Sequence, residues 1–279
     1  MQSNVLAATV AHTIAAAEAN IPRDDEYQGD DGLMHCKVCG EARQTVITIF
    51  DKTRTVRCVC RCYKEREQRR KLQESREAAD RRRRVCFQGT NMSGWSFDND
   101  DRQRPELSDA CRKYADQFAA YQAQGRGLLL YGSVGTGKTY LAACIANSVI
   151  DRGYIVRMTN FAEVANQMQS TWEKQEYIDD LCGYDLLIID DLGAERKSEY
   201  MQEMVFNIID ARYRAGGPVI ITTNLTPEEL VKPGNIGYSR IYDRIMERCL
   251  AIKVEGPSRR RKAARESWDD MRRELGLEV

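Results

Sequence analysis

The chain has 279 residues, of which 42% are hydrophobic and 30% charged, with ten cysteines and a formal net charge of +0. That length allows one large domain and a smaller one, and the apolar content supports a true core. Mean hydropathy is −0.56, and no apolar run approaches the roughly 20 residues of a membrane helix, so a membrane partner is not expected. The N-terminus lacks a basic start followed by an apolar run, which sets the expected location as cytoplasmic; there, cysteines stay as thiols or bind metal.

Residues 3–19 read as an Ala-rich helix and residues 20–34 as polar, turn-forming chain. His35-Cys-Lys-Val-Cys39 and Cys58-Val-Cys-Arg-Cys62 follow. Two short-spaced thiol clusters flanking a strand-bearing insert suit tetrahedral zinc, with Cys36, Cys39, Cys58, Cys60 and Cys62 competing for its positions. Arg61 and Lys64 would offset the thiolate charge. Between the clusters, Gln44 to Phe50 reads as a strand and Thr53 to Val59 as its partner across Asp51-Lys52. So few apolar residues cannot form a core, and metal would supply much of the folding free energy.

Residues 63–84 read as a helix that is polar nearly all round. From Arg61 to Arg84 there are eleven Lys or Arg against five Asp or Glu, and Arg81 to Arg84 are candidates for phosphate contact. Residues 85–106 read as an irregular connector anchored by Trp95 and Phe97, and residues 108–122 as a helix. The layout implied is an N-terminal module (1–62), a charged helix and linker (63–94), a main domain (95–262) and a charged tail helix (263–279).

From Leu128 the chain alternates strands and helices. Leu128–Tyr131, Ile155–Thr159, Leu186–Ile189, Val219–Thr222 and Leu250–Val254 are apolar runs suited to a parallel sheet of five strands covered on both faces. The first runs into Gly132, Ser133, Val134, Gly135, Thr136 and Gly137, then Lys138, Thr139 and Tyr140 at a helix start. Strand, glycine loop, lysine, hydroxyl and helix describe a triphosphate cradle. Loop amides and Lys138 would meet the phosphates of ATP, and Thr139 the Mg2+ ion. The third strand ends in Asp190 and Asp191, suited to holding Mg2+ and to positioning water for hydrolysis. The fourth ends at Asn224, placed either to bond the γ-phosphate or water, or to cap the helix begun by Thr226-Pro-Glu-Glu229. Arg240, Arg244 and Arg248 share one helical face. Either they pair with Asp243 and Glu247, or one reaches an anion on a neighbouring subunit.

Together these residues resemble the AAA+ ATPases of the bacterial and phage helicase loaders, the DnaC/DnaI group, and the related IstB transposition ATPases. The likeness runs through Trp95-Ser-Phe-Asp-Asn99, Asp185-Leu-Leu-Ile-Ile-Asp-Asp-Leu-Gly193 and Asn207-Ile-Ile-Asp-Ala-Arg212. It implies an α/β AAA+ P-loop fold after a small zinc-binding module. It makes Asn224 the first sensor, Arg240 the arginine acting in trans with Arg244 as second candidate, and Arg260 the arginine reading nucleotide in cis, with the register open across Arg259 to Arg261. It selects Cys36, Cys39, Cys60 and Cys62 as zinc ligands, with Cys58 as the alternative. By resemblance the partners are a hexameric replicative helicase, single-stranded DNA and further copies of the chain through the ATPase domains. The function implied is loading that helicase during initiation of DNA replication, with a transposition helper or a DNA-binding adaptor of weak ATPase as alternatives. Residues 158–177 fall where the group places a DNA-facing helical insertion, which makes Phe161 a candidate to stack a base and Arg157 to meet phosphate, with core or plain surface as the alternative for each. The acid pair departs from the usual Asp-Glu, and the shorter second acid implies hydrolysis that is slow or dependent on a partner.

Overall fold

Two hairpins form the cysteine-bearing region. In a computed structural model that describes residues 22–193, 198–231 and 236–277, β1 (Glu26–Gln28) pairs antiparallel with β2 (Met34–Cys36), and β3 (Gln44–Ile49) with β4 (Lys52–Arg57). The helix expected over residues 3–19 lies outside the described residues. The first hairpin replaces the turn-like chain expected there; three-residue strands are too short to show an apolar period. The second turns on Phe50 and Asp51, one residue earlier than expected. Ile49 faces Lys52, and the two turn residues take φ of 49° and 57°. Positive φ at both positions matches the right-handed twist of the flanking strands.

The chain divides into two compact units, Met1–Glu77 and Ala78–Val279, with the division inside α1 (Arg61–Phe87). Among the described residues of the first unit the buried apolar side chains are Met34, Cys36 and Cys60. These hairpins therefore have no core of ordinary size.

The second unit is built on a five-stranded parallel sheet. Its strands are β5 (Gly127–Tyr131), β6 (Val156–Asn160), β7 (Leu186–Leu192), β8 (Val219–Thr223) and β9 (Cys249–Lys253), in the order β6-β7-β8-β5-β9. All five expected strands are present. β6 starts one residue later than expected, β9 one residue earlier, and β7 runs on through both acids. Side chains alternate between faces along a strand. Leu128, Leu130, Leu186 and Ile188 pack with the end of α1, α2 (Pro105–Asp116), α3 (Phe118–Ala123) and α4 (Lys138–Asp151). Leu129, Leu187, Ile189 and Ile221 pack with α5 (Phe161–Ser170), α6 (Lys174–Gly183), α7 (Glu199–Ala215) and α9 (Ile236–Arg248), which follows the short α8 (Pro227–Val231). The last helix among the described residues is α10 (Arg259–Glu274), capped by Ser258, whose hydroxyl accepts from the Arg261 amide.

The buried cysteines Cys86, Cys111, Cys144 and Cys249 sit in this second unit as packing residues. Trp95 and Phe97 anchor the connector as expected: Phe97 is buried, and Trp95 packs on Tyr140 with ring centres 5.5 Å apart.

Among the described residues Arg212 is the largest fully buried side chain. Its guanidinium donates to the carbonyls of Cys182 and Tyr184 (both 2.7 Å), Pro218 (2.8 Å) and Asp185 (3.1 Å), so one cation from α7 ties together the lead-ins of β7 and β8. Burial pushes its pKa down, and carbonyl dipoles rather than a carboxylate hold the charge. Arg212→Met should cost about 3 kcal/mol, because it strands those buried acceptors. A lower urea midpoint at unchanged slope would show this, and a midpoint equal to wild type would refute it.

Candidate nucleotide and metal sites

The glycine loop follows β5 under tight steric limits. Gly132 has φ 146°, and a Cβ there would lie 2.3 Å from the Val254 carbonyl oxygen, so the loop leaves the sheet pressed against the chain beyond β9. Gly137 takes φ 103° as the residue capping α4. Left-handed backbone at that point costs a side-chain-bearing residue about 1 kcal/mol. Together they turn the loop so that α4 begins at Lys138, beneath a cavity of about 350 Å³.

Lys138 is 5% exposed, and its ammonium donates to the carbonyls of Gly132 and Ser133 (2.9 Å each) and to Asn224 Oδ1 (2.8 Å). All its hydrogens are engaged, so an incoming phosphate must take over at least one bond. Burial lowers its pKa, while Asp191 and Asp190 act in the opposite sense.

The acids are placed by a break in the sheet. Pairing of β7 with β8 shifts register between Ile189 and Leu192, and Asp191 takes φ 56°. Such a bulge re-aims side chains at a strand end. Thr222 of β8 secures it: its hydroxyl accepts from the Asp191 amide (2.9 Å) and donates to Asp190 Oδ1 (2.5 Å). Thr223 donates to the Leu192 carbonyl at 2.6 Å. Across the pocket the Thr139 hydroxyl donates to the Asp190 carboxylate at 3.0 and 3.2 Å. Burial raises the Asp190 pKa against these bonds. Thr139 lines the cavity, and a hydroxyl with a carboxylate against it supplies oxygen ligands of the kind Mg2+ prefers.

The remaining wall comes from both ends of the unit. Trp95, Asn99, Asp101, Tyr140, Arg259 and Arg260 line the cavity with the loop, Asp191 and Asn224. Arg259 is held from behind by Asp100 and Asp101, each at 3.0 Å, and its amide donates to the Gly135 carbonyl. Val134 lies at the cavity mouth, and the Thr136 hydroxyl bonds back to the Ser133 carbonyl.

Arg240 stands apart, exposed on α9 in a shallow cavity with Glu199, Gln202, Glu203 and Phe206. Arg244 is engaged within its own chain, 2.7 Å from Asp210 and 5.1 Å above the Phe206 ring. Arg248 lies over Tyr213. Phe161 and Arg157 are buried, at 2% and 3% exposure. Phe161 fills the core and Arg157 donates to the Val85 carbonyl, so neither presents a surface to nucleic acid. Arg83 is likewise committed, to Asp151, Asp80 and Asn147.

In the first unit, the Sγ atoms of Cys36, Cys39, Cys60 and Cys62 lie within 4.8 Å of one another, with Cys36–Cys62 at 3.5 Å and Cys60–Cys62 at 3.4 Å. Four thiolates at Zn–S distances of about 2.3 Å have sulfurs about 3.7 Å apart, so the cluster fits one tetrahedral ion. Cys58 turns away and donates to the Ala42 carbonyl. The amides of Cys39 and Val38 hold the Cys36 thiol down to about 6. The countercharge is Arg43, 3.4 Å from Cys60 Sγ and 3.7 Å from Cys36 Sγ. Arg61, expected in that role, instead pairs with Glu41 and Glu65.

Sequence reading missed Thr222, Asp100, Arg259 as the clamped arginine, and Arg43. Thr222 was legible only as a strand residue, although the Thr-Thr-Asn224 run marks a strand end rich in hydroxyls.

A family model described as IstB-like ATP binding protein matches residues 64–267, which span the whole nucleotide pocket but not the cysteine cluster. The replicative helicase loader DnaC of Escherichia coli K12 is 31% identical over 126 residues, 43% of this chain and 50% of that protein. The replicative helicase loader DnaI of Bacillus subtilis 168 is 24% identical over 213 residues, 71% of this chain and 68% of that protein. A crystal structure of DnaI is similar with TM-score 0.54 and 26% identity, covering 64% of this chain and 99% of that one. The chain thus spans half the length of the DnaC relative it matches.

The cysteine geometry gives a direct expectation. Cys58→Ser should keep about one bound metal ion per chain, and Cys60→Ser should lose it. Elemental analysis and the visible band of a cobalt-substituted sample would read this; loss on Cys58→Ser would reverse the ligand assignment.

Proposed function

Because the chain belongs to the IstB-like ATP-binding proteins, we propose that it hydrolyses ATP and uses that cycle to place a hexameric replicative helicase on single-stranded DNA. The observation that carries the reading is the contact of Thr139 with Asp190 beside buried Lys138, on a cavity open to a nucleotide. The likeness to the DnaC and DnaI loaders supplies the helicase and its DNA.

The loop amides of residues 132–139 and Lys138 bind the phosphates of ATP. Thr139 and Asp190 hold Mg2+, which when bound neutralises phosphate charge. Asp191 and Asn224 orient the attacking water. Arg259 or Arg260 contacts nucleotide in cis. Arg240, exposed and with no carboxylate paired to it among the described residues, serves a neighbouring subunit's nucleotide. Arg244 does not take that role, since Asp210 holds it at home.

Zinc on Cys36, Cys39, Cys60 and Cys62 orders the hairpins of the N-terminal module, which holds the helicase. Val46 and Ile49 are half exposed and Phe50 is 95% exposed at the β3–β4 tip, an apolar end suited to a protein partner. A transposition helper is the second reading, favoured by the description of the matching family.

Lys138→Ala should weaken ATP binding by about 100-fold, the worth of a charged phosphate contact. Calorimetry would test this, and unchanged affinity would sink the nucleotide site. Wild type immobilised with ATP should capture a hexameric replicative helicase. Capture of a transposase in its place would select the second reading.

A further inference from the structure

α10 leaves the nucleotide pocket carrying an exposed apolar stripe. Trp268, Met271 and Leu275 are 63%, 57% and 61% exposed, and their spacing of three and four residues puts them on one face. By the same periodicity Arg261, Arg265 and Arg272, all exposed, run along one border of that stripe. Contiguous large apolar side chains facing water mark a contact surface.

A surface of opposite charge and similar apolarity lies at the start of α7. Glu199 and Glu203 stand one turn apart and exposed, with Tyr200, 42% exposed, beside them. Phe206 completes the cavity they share with Arg240. Next to it, fully exposed Trp172 lines a second cavity with Tyr200 and the buried Met168. One face is apolar with arginines beside it; the other is apolar with glutamates.

We propose that these two faces meet between copies of the chain: α10 of one subunit lies on the Glu199–Glu203 face of α7 in the next, with Trp268, Met271 and Leu275 against Tyr200 and Phe206. The contact rests on the reading that Arg240 serves a neighbour's nucleotide. Arg240 shares a cavity with Glu199 and Glu203, and α10 begins at the nucleotide pocket with Arg259 and Arg260. Bringing Arg240 to the neighbour's pocket therefore brings the root of the neighbour's α10 to the acidic face. A helix of 16 residues is about 24 Å long, enough to lie across the first turns of α7. The two faces differ, so the contact is head-to-tail and builds an arc or spiral rather than a closed pair.

Sedimentation velocity of the full chain with a non-hydrolysable ATP analogue tests this. Trp268→Glu with Met271→Glu should raise the concentration needed for assembly at least about tenfold while the monomer's nucleotide affinity stays at the wild-type value. Glu199→Lys with Glu203→Lys should do the same, and adding Arg265→Glu with Arg272→Glu to that chain should restore assembly. Stripe variants that assemble like wild type, charge reversal without rescue, or a wild type that stays monomeric would each overturn the proposal. If the stripe variants assemble normally but lose capture of the helicase, the stripe belongs to that partner and the proposal also falls. Arg240→Ala separates the two readings. Wild-type hydrolysis in that variant removes the trans-acting arginine, whereas lost hydrolysis beside normally assembling stripe variants removes the α10 contact alone.

Discussion

A buried ammonium on the pocket wall and a half-buried carboxylate bonded to the neighbouring Thr139 are both withdrawn from water, and the second unit is arranged to keep both satisfied. Lys138 and Asp190 each lose hydration by burial, which disfavours their charged forms. Each is compensated locally: two loop carbonyls and Asn224 hold the ammonium, and two threonine hydroxyls hold the carboxylate. The compensating groups come from the loop after β5, the start of α4, and the end of β8 with the residue that follows it. Parallel strands deliver all their C-terminal ends to one edge, which is why so few residues suffice.

The cysteine unit solves a different problem. Its hairpins bury little apolar surface, and its buried charges form a cluster in which Glu26 accepts from Arg43 and Arg57. Four sulfurs gathered on one point take the place that a core holds elsewhere. Arg43 belongs to both sets, touching the thiols on one side and Asp25 and Glu26 on the other.

The sheet and the pocket were largely legible because apolar runs, the glycine loop and the acid pair are local signals. The ligand set of the cysteine cluster was legible by likeness to relatives. What escaped depends on backbone geometry and on distant partners. The bulge at Asp191 leaves no mark in composition; it exists because β8 supplies a threonine at the right register. Arg43 and Arg61 are equally basic in sequence, and only the fold decides which meets sulfur. Phe161 and Arg157 looked available to a base and a phosphate, yet both point inward, because β6 and the start of α5 are covered by packed helices. Arg244 and Arg240 share a helical face, but Asp210 and Phe206 capture one and leave the other exposed.

The Asp100–Arg259 pair has a mechanical consequence. Asp100 is almost wholly enclosed, and its partner arginine is fastened by its own amide to the glycine loop. The two ends of the second unit are thereby stapled together at the floor of the nucleotide cavity. The stretch ahead of α2 is fixed to the cavity wall at a second point as well, where the Tyr140 hydroxyl donates to the Ser96 carbonyl at 2.7 Å. Any displacement of the glycine loop would therefore pull on that stretch through the Arg259 amide and its carboxylate partners.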